Sequence, residues 1–360
     1  MREFTEADLD DLAIGAAILG TGGGGNPYVG KLLARAAIRE HGPVTVVDVD
    51  EVPDDALVVP SAMMGAPTVI VEKLPSGEEA LRAFLALQEY LGREITHTMP
   101  IEAGGLNSTM PFTVAARLGI PVVDADGMGR AFPEVQMVTA TIFGISATPM
   151  ALADEKGNQV LLSHTVDNRW TERLARSITV DMGSTALVAQ YALSGRQLKE
   201  AMVPGTLRLA TELGALVREA RRNHEDPVAA IVDRLGGRRL FSGKIVDVER
   251  RTVAGFTRGE AHIEGLGADA GTELVLEFQN EFLVARRGEE VLTSVPDLIT
   301  VVDSDSGEPT TTEELRYGFR VAVLAAPCDR RWRSEAGLAI VGPRCFGYDF
   351  DFVPLEERAA

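Results

Sequence analysis

The run Thr21-Gly22-Gly23-Gly24-Gly25-Asn26-Pro27 constrains this chain more than any other segment. Four consecutive glycines have no side chains to pack and lose the most backbone freedom on ordering, so they do not fit inside a helix or a strand. Both flanks are helical in pattern. Upstream, Leu9, Leu12, Ala13, Ala16 and Ala17 recur at helical spacing up to Gly20, and Thr5 to Asp8 reads as a capping-box start with Asp8 in the acidic position. Downstream, a second helix is expected from Tyr28 to Glu40. A glycine loop between two helices is either a structural hairpin or a place where backbone N–H groups reach an anionic or carbonyl-bearing ligand. It is neither a dinucleotide fingerprint nor a P-loop, because the strand-turn-helix with its ribose-binding acid and the Lys-Ser/Thr pair are both missing.

Beyond the loop, apolar β-type runs at Val44–Val49, Leu57–Pro60, Ile95–Met99 and Ile120–Asp124 alternate with helical segments at Gly77–Leu91 and Thr109–Leu118, the pattern of an α/β layer. Met150–Asn158 reads as a turn between strands. From Ser184 to Ala220 Ala, Leu, Arg and Glu dominate at a spacing near 3.6, which predicts helix. Past Gly236-Gly237 the period changes to two and stays so from Leu240 to about Val302. Gly318–Ala325 reads as one more buried strand, with Gly337–Gly347 returning to the first half. The expected fold is an α/β N-terminal domain with a smaller β-rich C-terminal domain. Its units are residues 1–180 with the glycine-rich ligand loops, a linking helical segment 181–236, a β-rich domain 237–305, and a return segment 306–360 on the N-terminal domain.

Lys and Arg number 35 against 53 Asp and Glu, a net charge of −18 that repels nucleic acid and anionic membrane surfaces. No secretory signal opens the chain and no apolar run is long enough for a membrane span, so a cytoplasmic location is expected. Expected partners are a small-molecule substrate and further copies of the chain in a homo-oligomer. Two cysteines, Cys328 and Cys345, are too few for a disulfide framework and are expected as reduced thiols.

Three clusters carry candidate chemistry. Gly23, Gly24, Gly25 and Asn26 form the first. The second, His97 to Ser108, follows a strand and gathers His97, Glu102 and Asn107 about Gly104-Gly105. In the third, Asp124 and Asp126 stand two residues apart at a strand end, where one can stay ionised while the other holds a proton. There Arg130 offers a planar fork for a substrate carboxylate, with Glu134 close by. A buried structural network is the alternative. Cys328 and Cys345 each adjoin basic residues, which favours a thiolate. If both face the cleft they serve as nucleophile or, with His97, as ligands of a Zn2+ ion. His164, His224 and His262 carry no such signal.

Leu19 to Pro27, Glu102 to Asn107, Asp124 to Glu134 and Gly342-Pro343-Arg344-Cys345-Phe346-Gly347-Tyr348-Asp349 together resemble the S-methyl thiohydantoin desulfurase family, found beside hydantoin-utilising enzymes. The resemblance covers nearly the whole chain. It implies a hydrolase-type desulfurase that cleaves a C–S bond, releasing methanethiol from an S-methyl thiohydantoin to give a hydantoin. Such a site needs an acid for the ring nitrogen, a nucleophile for the carbon and a donor for the leaving thiolate. On this reading Cys328 or Cys345, or a metal-held water, attacks while Asp124 or Asp126 moves the proton. Alternatives are a hydrolase or isomerase of hydantoin- or oxoproline-type cyclic amides, and a non-catalytic ligand-binding accessory protein.

Overall fold

The computed structural model describes residues 1–65, 69, 73, 75–253 and 256–358. In chain order the first half contains β1 (Arg2–Phe4), α1 (Asp8–Leu19), α2 (Pro27–His41), β2 (Val44–Val47), β3 (Leu57–Gly65), α3 (Glu78–Leu91), β4 (His97–Pro100), α4 (Met110–Leu118), β5 (Val122–Val123), β6 (Ala125–Asp126), β7 (Met150–Ala153), β8 (Gln159–Leu162), α5 (Asn168–Asp181), β9 (Thr185–Ala189) and β10 (Leu193–Ser194). One mixed sheet runs β1-β2-β5-β4-β3-β9-β7-β8, with β10 also on β3. Its centre, β2, β5, β4 and β3, is parallel, and β9 joins antiparallel with Ala189 opposite Ser61. Side chains of β9 alternate between faces. Leu187 and Ala189 pack with Phe84 and Leu87 of α3, whereas Val188 points to the other core.

Residues 185–189 depart from the helix expected over 184–220. Thr185-Ala186-Leu187-Val188-Ala189 is fully buried on both faces, and such a strand shows no alternation by which to tell it from a buried helix. Helix does follow, as α6 (Gly195–Ala201), α7 (Thr206–Asn223) and α8 (Pro227–Leu235). Gly15 of α1 lies so close to α7 that a Cβ there would stand 1.7 Å from the Ala210 carbonyl oxygen, so the two helices meet backbone to backbone. That contact fastens the helical segment to the N-terminal layer.

The period-two region forms the seven-stranded antiparallel sheet β16-β15-β14-β13-β12-β18-β17, counted among the described residues. With β11 (Val203–Pro204) paired to β6, its strands are β12 (Arg238–Val253), β13 (Phe256–Gly265), β14 (Glu273–Gln279), β15 (Glu281–Arg287), β16 (Glu290–Ser294), β17 (Leu298–Asp303) and β18 (Arg320–Ala326). Of the return segment expected over 306–360, Arg320–Ala326 instead forms an interior strand of this sheet, paired with β12 and β17, because its apolar run is buried between them; residues beyond it reach the first half. Trp332 is wholly buried, meets Phe132 edge-on at 5.1 Å and donates its indole N–H to the Met128 carbonyl at 2.7 Å. Burying one large apolar side chain contributes about 2–3 kcal/mol, so this residue is a strong clamp between chain end and third loop.

Candidate functional site

Three loops of the N-terminal half and one hairpin of the C-terminal sheet converge. At Gly24, with φ +75°, a Cβ would strike Gly104 at 2.8 Å. At Gly105, with φ +51°, it would strike the Gly25 carbonyl oxygen at 2.2 Å. The glycines therefore let the first and second loops pack main chain on main chain, with Leu106 N–H donating to the Gly24 carbonyl at 2.9 Å. From the other side, Phe282 N–H donates to the Thr21 carbonyl and Thr312 N–H to the Gly22 carbonyl, both at 2.8 Å. The turn between β14 and β15 is thereby seated on the glycine loop, and it delivers Glu281.

A cavity of about 70 Å3 lies at this junction, between Gly24, Glu102, Asn107, Glu134, Gln190 and Glu281, with Ala62, Met64 and Val188 forming an apolar floor. On this measure one water needs about 10–15 Å3, so the space suits a few waters or one small ring. Asn107 is fixed by accepting from the Met63 N–H at 2.7 Å, and its own NH2 donates to Glu102 Oε1 at 2.5 Å. Glu102 Oε2, Glu281 Oε2 and Gln190 Oε1 are each buried and have no protein partner among the described residues. An orphaned buried polar atom costs about 1–3 kcal/mol. Three on residues that line one cavity mark a place shaped for a ligand's polar groups.

The electrostatics follow from burial. Desolvation pushes the Glu102 carboxyl up to about 8, against the Asn107 hydrogen bond and with help from the Asp126 charge. Glu281 is raised well above the ordinary range by burial and by the Glu102 charge. Behind them Asp126 is raised to about 7 by burial, although its carboxyl accepts from Ala103 N–H at 2.7 Å and from Gly129 N–H at 2.9 Å. The site therefore holds protons that exposed carboxylates would have lost.

Of the residues singled out from sequence, the structure gathers Gly24, Glu102, Asn107 and Glu134 at the cavity, with Gly23 touching Glu281 and Asp126 directly behind. The others lie elsewhere. Arg130 is completely buried and fully engaged: its guanidinium donates to the carbonyls of Ala131, Pro296, Asp297 and Phe282 and to Thr21 Oγ1, leaving no fork for a substrate carboxylate. Asp124 accepts from the N–H groups of Leu207 and Arg208 and so caps α7; it and Asp126 do not form a pair at one edge. Asn26 caps α2, accepting from Tyr28 N–H, and donates to Glu314, while Gly25 is packed against Gly105.

Cys328 is buried outside the cavity, with its N–H on Asp297 Oδ1, and burial with the Asp297 charge raises its thiol further from ionisation. Cys345 is exposed, its Sγ on the Ala339 carbonyl at 3.3 Å, and burial of its surroundings raises it as well. His97 begins β4 instead of ending it, bonds Thr96 Oγ1 at 2.8 Å and lines a separate cleft with Met1 and His41. These three residues do not make one zinc-ligand set, and among the described residues no group of three metal-binding side chains converges.

Sequence reasoning missed Glu281 and Gln190. Glu281 follows Asn280, whose φ is +59° and whose carbonyl oxygen takes the Thr312 hydroxyl at 2.6 Å; the polar trio Gln279-Asn280-Glu281 between two apolar runs was the available signal. Gln190 stood hidden in the misread helical stretch.

Fold and cavity together define a two-domain protein with a small, acid-lined chamber at the domain junction. The chain belongs to the S-Me-THD-like family: the N-terminal domain of that family matches residues 7–164 and the C-terminal domain residues 166–355. A crystal structure of a protein from Chromobacterium violaceum is similar over 99% of this chain and 100% of that one, with 27% identity and a TM-score of 0.83. Comparison with curated proteins gives no match. The family boundary falls just before α5, so β9, which completes the first sheet, comes from the matched C-terminal part. Among the described residues no helix is long and apolar enough to cross a membrane.

Proposed function

We propose that the chain removes methanethiol hydrolytically from an S-methyl thiohydantoin, with Glu102 and Glu281 as the proton-handling pair. The observation that carries this reading is that two buried carboxyl groups, each with one oxygen lacking a protein partner among the described residues, line one ring-sized cavity. Family membership supports the hydantoin-related substrate class.

A protonated carboxyl delivers its proton to the ring nitrogen of the C=N bond, making the adjacent carbon electrophilic. The carboxylate so formed takes a proton from water as the water oxygen bonds to that carbon. The carbon's new hydroxyl then gives up its proton through the second carboxyl to the departing methanethiolate as the C–S bond breaks and the carbonyl forms, and the first carboxyl ends protonated as it began. Substrate plus water gives hydantoin plus methanethiol. Gly24 lines the same space, and its N–H, without a protein acceptor among the described residues, suits the ring carbonyl.

The test is methanethiol release from S-methyl thiohydantoins. Glu102→Gln and Glu281→Gln are each expected to lower kcat at least 100-fold, a usual loss for a general acid. Full activity in both variants overturns the pair. Ring opening of hydantoin itself, without turnover of the S-methyl compound, would assign the carboxyls to cyclic-amide hydrolysis instead.

A further inference from the structure

Gln190 is one of the polar residues of the cavity that the proposed proton transfers leave unused, alongside Asn107, Glu134, Arg176 and Asn280. Its N–H extends the ladder from β9 to the Pro60 carbonyl at 3.3 Å, so its side chain falls on the Val188 face of the sheet, away from Leu187 and Ala189. There it lines the cavity with Met64 and Glu281, is only 4% exposed, and keeps Oε1 buried without a partner among the described residues. A primary amide in an otherwise apolar floor of Ala62, Met64 and Val188 adds nothing to packing that a Met or Leu would not. Buried polar groups in proteins are normally satisfied, so this oxygen calls for a ligand donor.

The kind of donor follows from its neighbours. Glu102 and Glu281 can either give or take a proton, but an amide oxygen only accepts. It calls for N–H or O–H at the ligand atom it faces. The Nε2 of the same planar group is the donor half.

We infer that Gln190 is a specificity-determining residue that accepts a hydrogen bond from a ring N–H, and so selects heterocycles of the cyclic amide or ureide class unsubstituted on that nitrogen. The inference rests on the proposed hydantoin-type substrate. A methyl group on the nitrogen would both occupy the contact and leave Oε1 orphaned. Sites built to bond an N–H discriminate strongly against analogues that lack it.

Calorimetric binding of hydantoin, 1-methylhydantoin and 3-methylhydantoin to the wild-type chain and to Gln190→Met tests this. Wild type is expected to bind hydantoin at least about 10-fold more tightly than one of the two N-methyl isomers. Gln190→Met, similar in volume and without hydrogen bonds, is expected to weaken hydantoin binding about 10-fold and to abolish the preference between isomers. Equal wild-type affinity for all three ligands overturns the inference even if the variant does not fold, as does a variant that keeps the wild-type preference. Absence of any hydantoin binding to wild type instead defeats the substrate class itself, a result distinct from loss of N-methyl discrimination.

Discussion

A Cβ on Gly23 would stand 2.0 Å from Glu281 Oε1, so the first glycine loop and the cavity carboxyl occupy adjoining space with no room for a methyl group. Gly23 has no positive φ, unlike Gly22, Gly24 and Gly25, and alanine there meets no backbone strain. Gly23→Ala is therefore expected to fold, to lose about 1–3 kcal/mol through overpacking, and to displace Glu281. In a double-mutant cycle, Glu281→Ala should relieve most of that loss; additive losses in urea titrations would contradict the contact.

The raised carboxyls fix the direction of pH dependence. Glu102 goes from an ordinary value of 4.5 to about 8 in the folded chain, so the folded state binds the extra proton. Stability from this group is fully present below about 4.5 and is lost as pH rises through about 8. Glu102→Gln should match wild type near pH 5 and exceed it by several kcal/mol at pH 9, since each pKa unit corresponds to about 1.36 kcal/mol. Urea midpoints at the two pH values measure it; a variant less stable than wild type at pH 9 would contradict the assignment.

Arg130 ties Thr21, Phe282, Pro296 and Asp297 together across the domain junction. Arg130→Lys is expected to destabilise by about 3 kcal/mol or more, because one ammonium cannot reach acceptors spread around a planar fork and several carbonyls lose their donor. A substrate-binding role predicts something else: an intact fold with selective loss of carboxylate-bearing ligands. Chemical denaturation beside ligand titration separates the two.

For the cysteines, burial decides. One thiol per folded chain, that of Cys345, should react with an aromatic disulfide reagent, more slowly than a free cysteine because its thiol is raised, and two should react in denaturant. Cys328→Ala and Cys345→Ala should each keep methanethiol release within about 3-fold of wild type, because neither sulfur lines the cavity. A loss approaching that of the carboxyl variants would restore a sulfur nucleophile.

Much of the architecture was legible because periodicity reports burial. The helices flanking the glycine loop, the alternating α/β segments and the period-two C-terminal region all appear close to where the spacing put them. β9 was not legible, since a strand buried on both faces has no alternation, and Gln190 was lost with it. The loops carrying Gly24, Glu102 and Asn107 were readable from glycine and polar residues at strand and helix ends. Arg130 and Asp124 misled because sequence shows a charge but not the carbonyls or helix N–H groups that absorb it. Glu281 lies more than 170 residues from Glu102, and only the seating of the β14–β15 turn on Thr21 brings them together.

A crystal structure with hydantoin bound tests the central claim most directly. The account predicts the ring in the chamber at the domain junction, with Glu102 and Glu281 oxygens and Gln190 Oε1 within about 3.2 Å of its polar atoms. Hydantoin seated beside Cys328 or Cys345, with the chamber holding none, would contradict it.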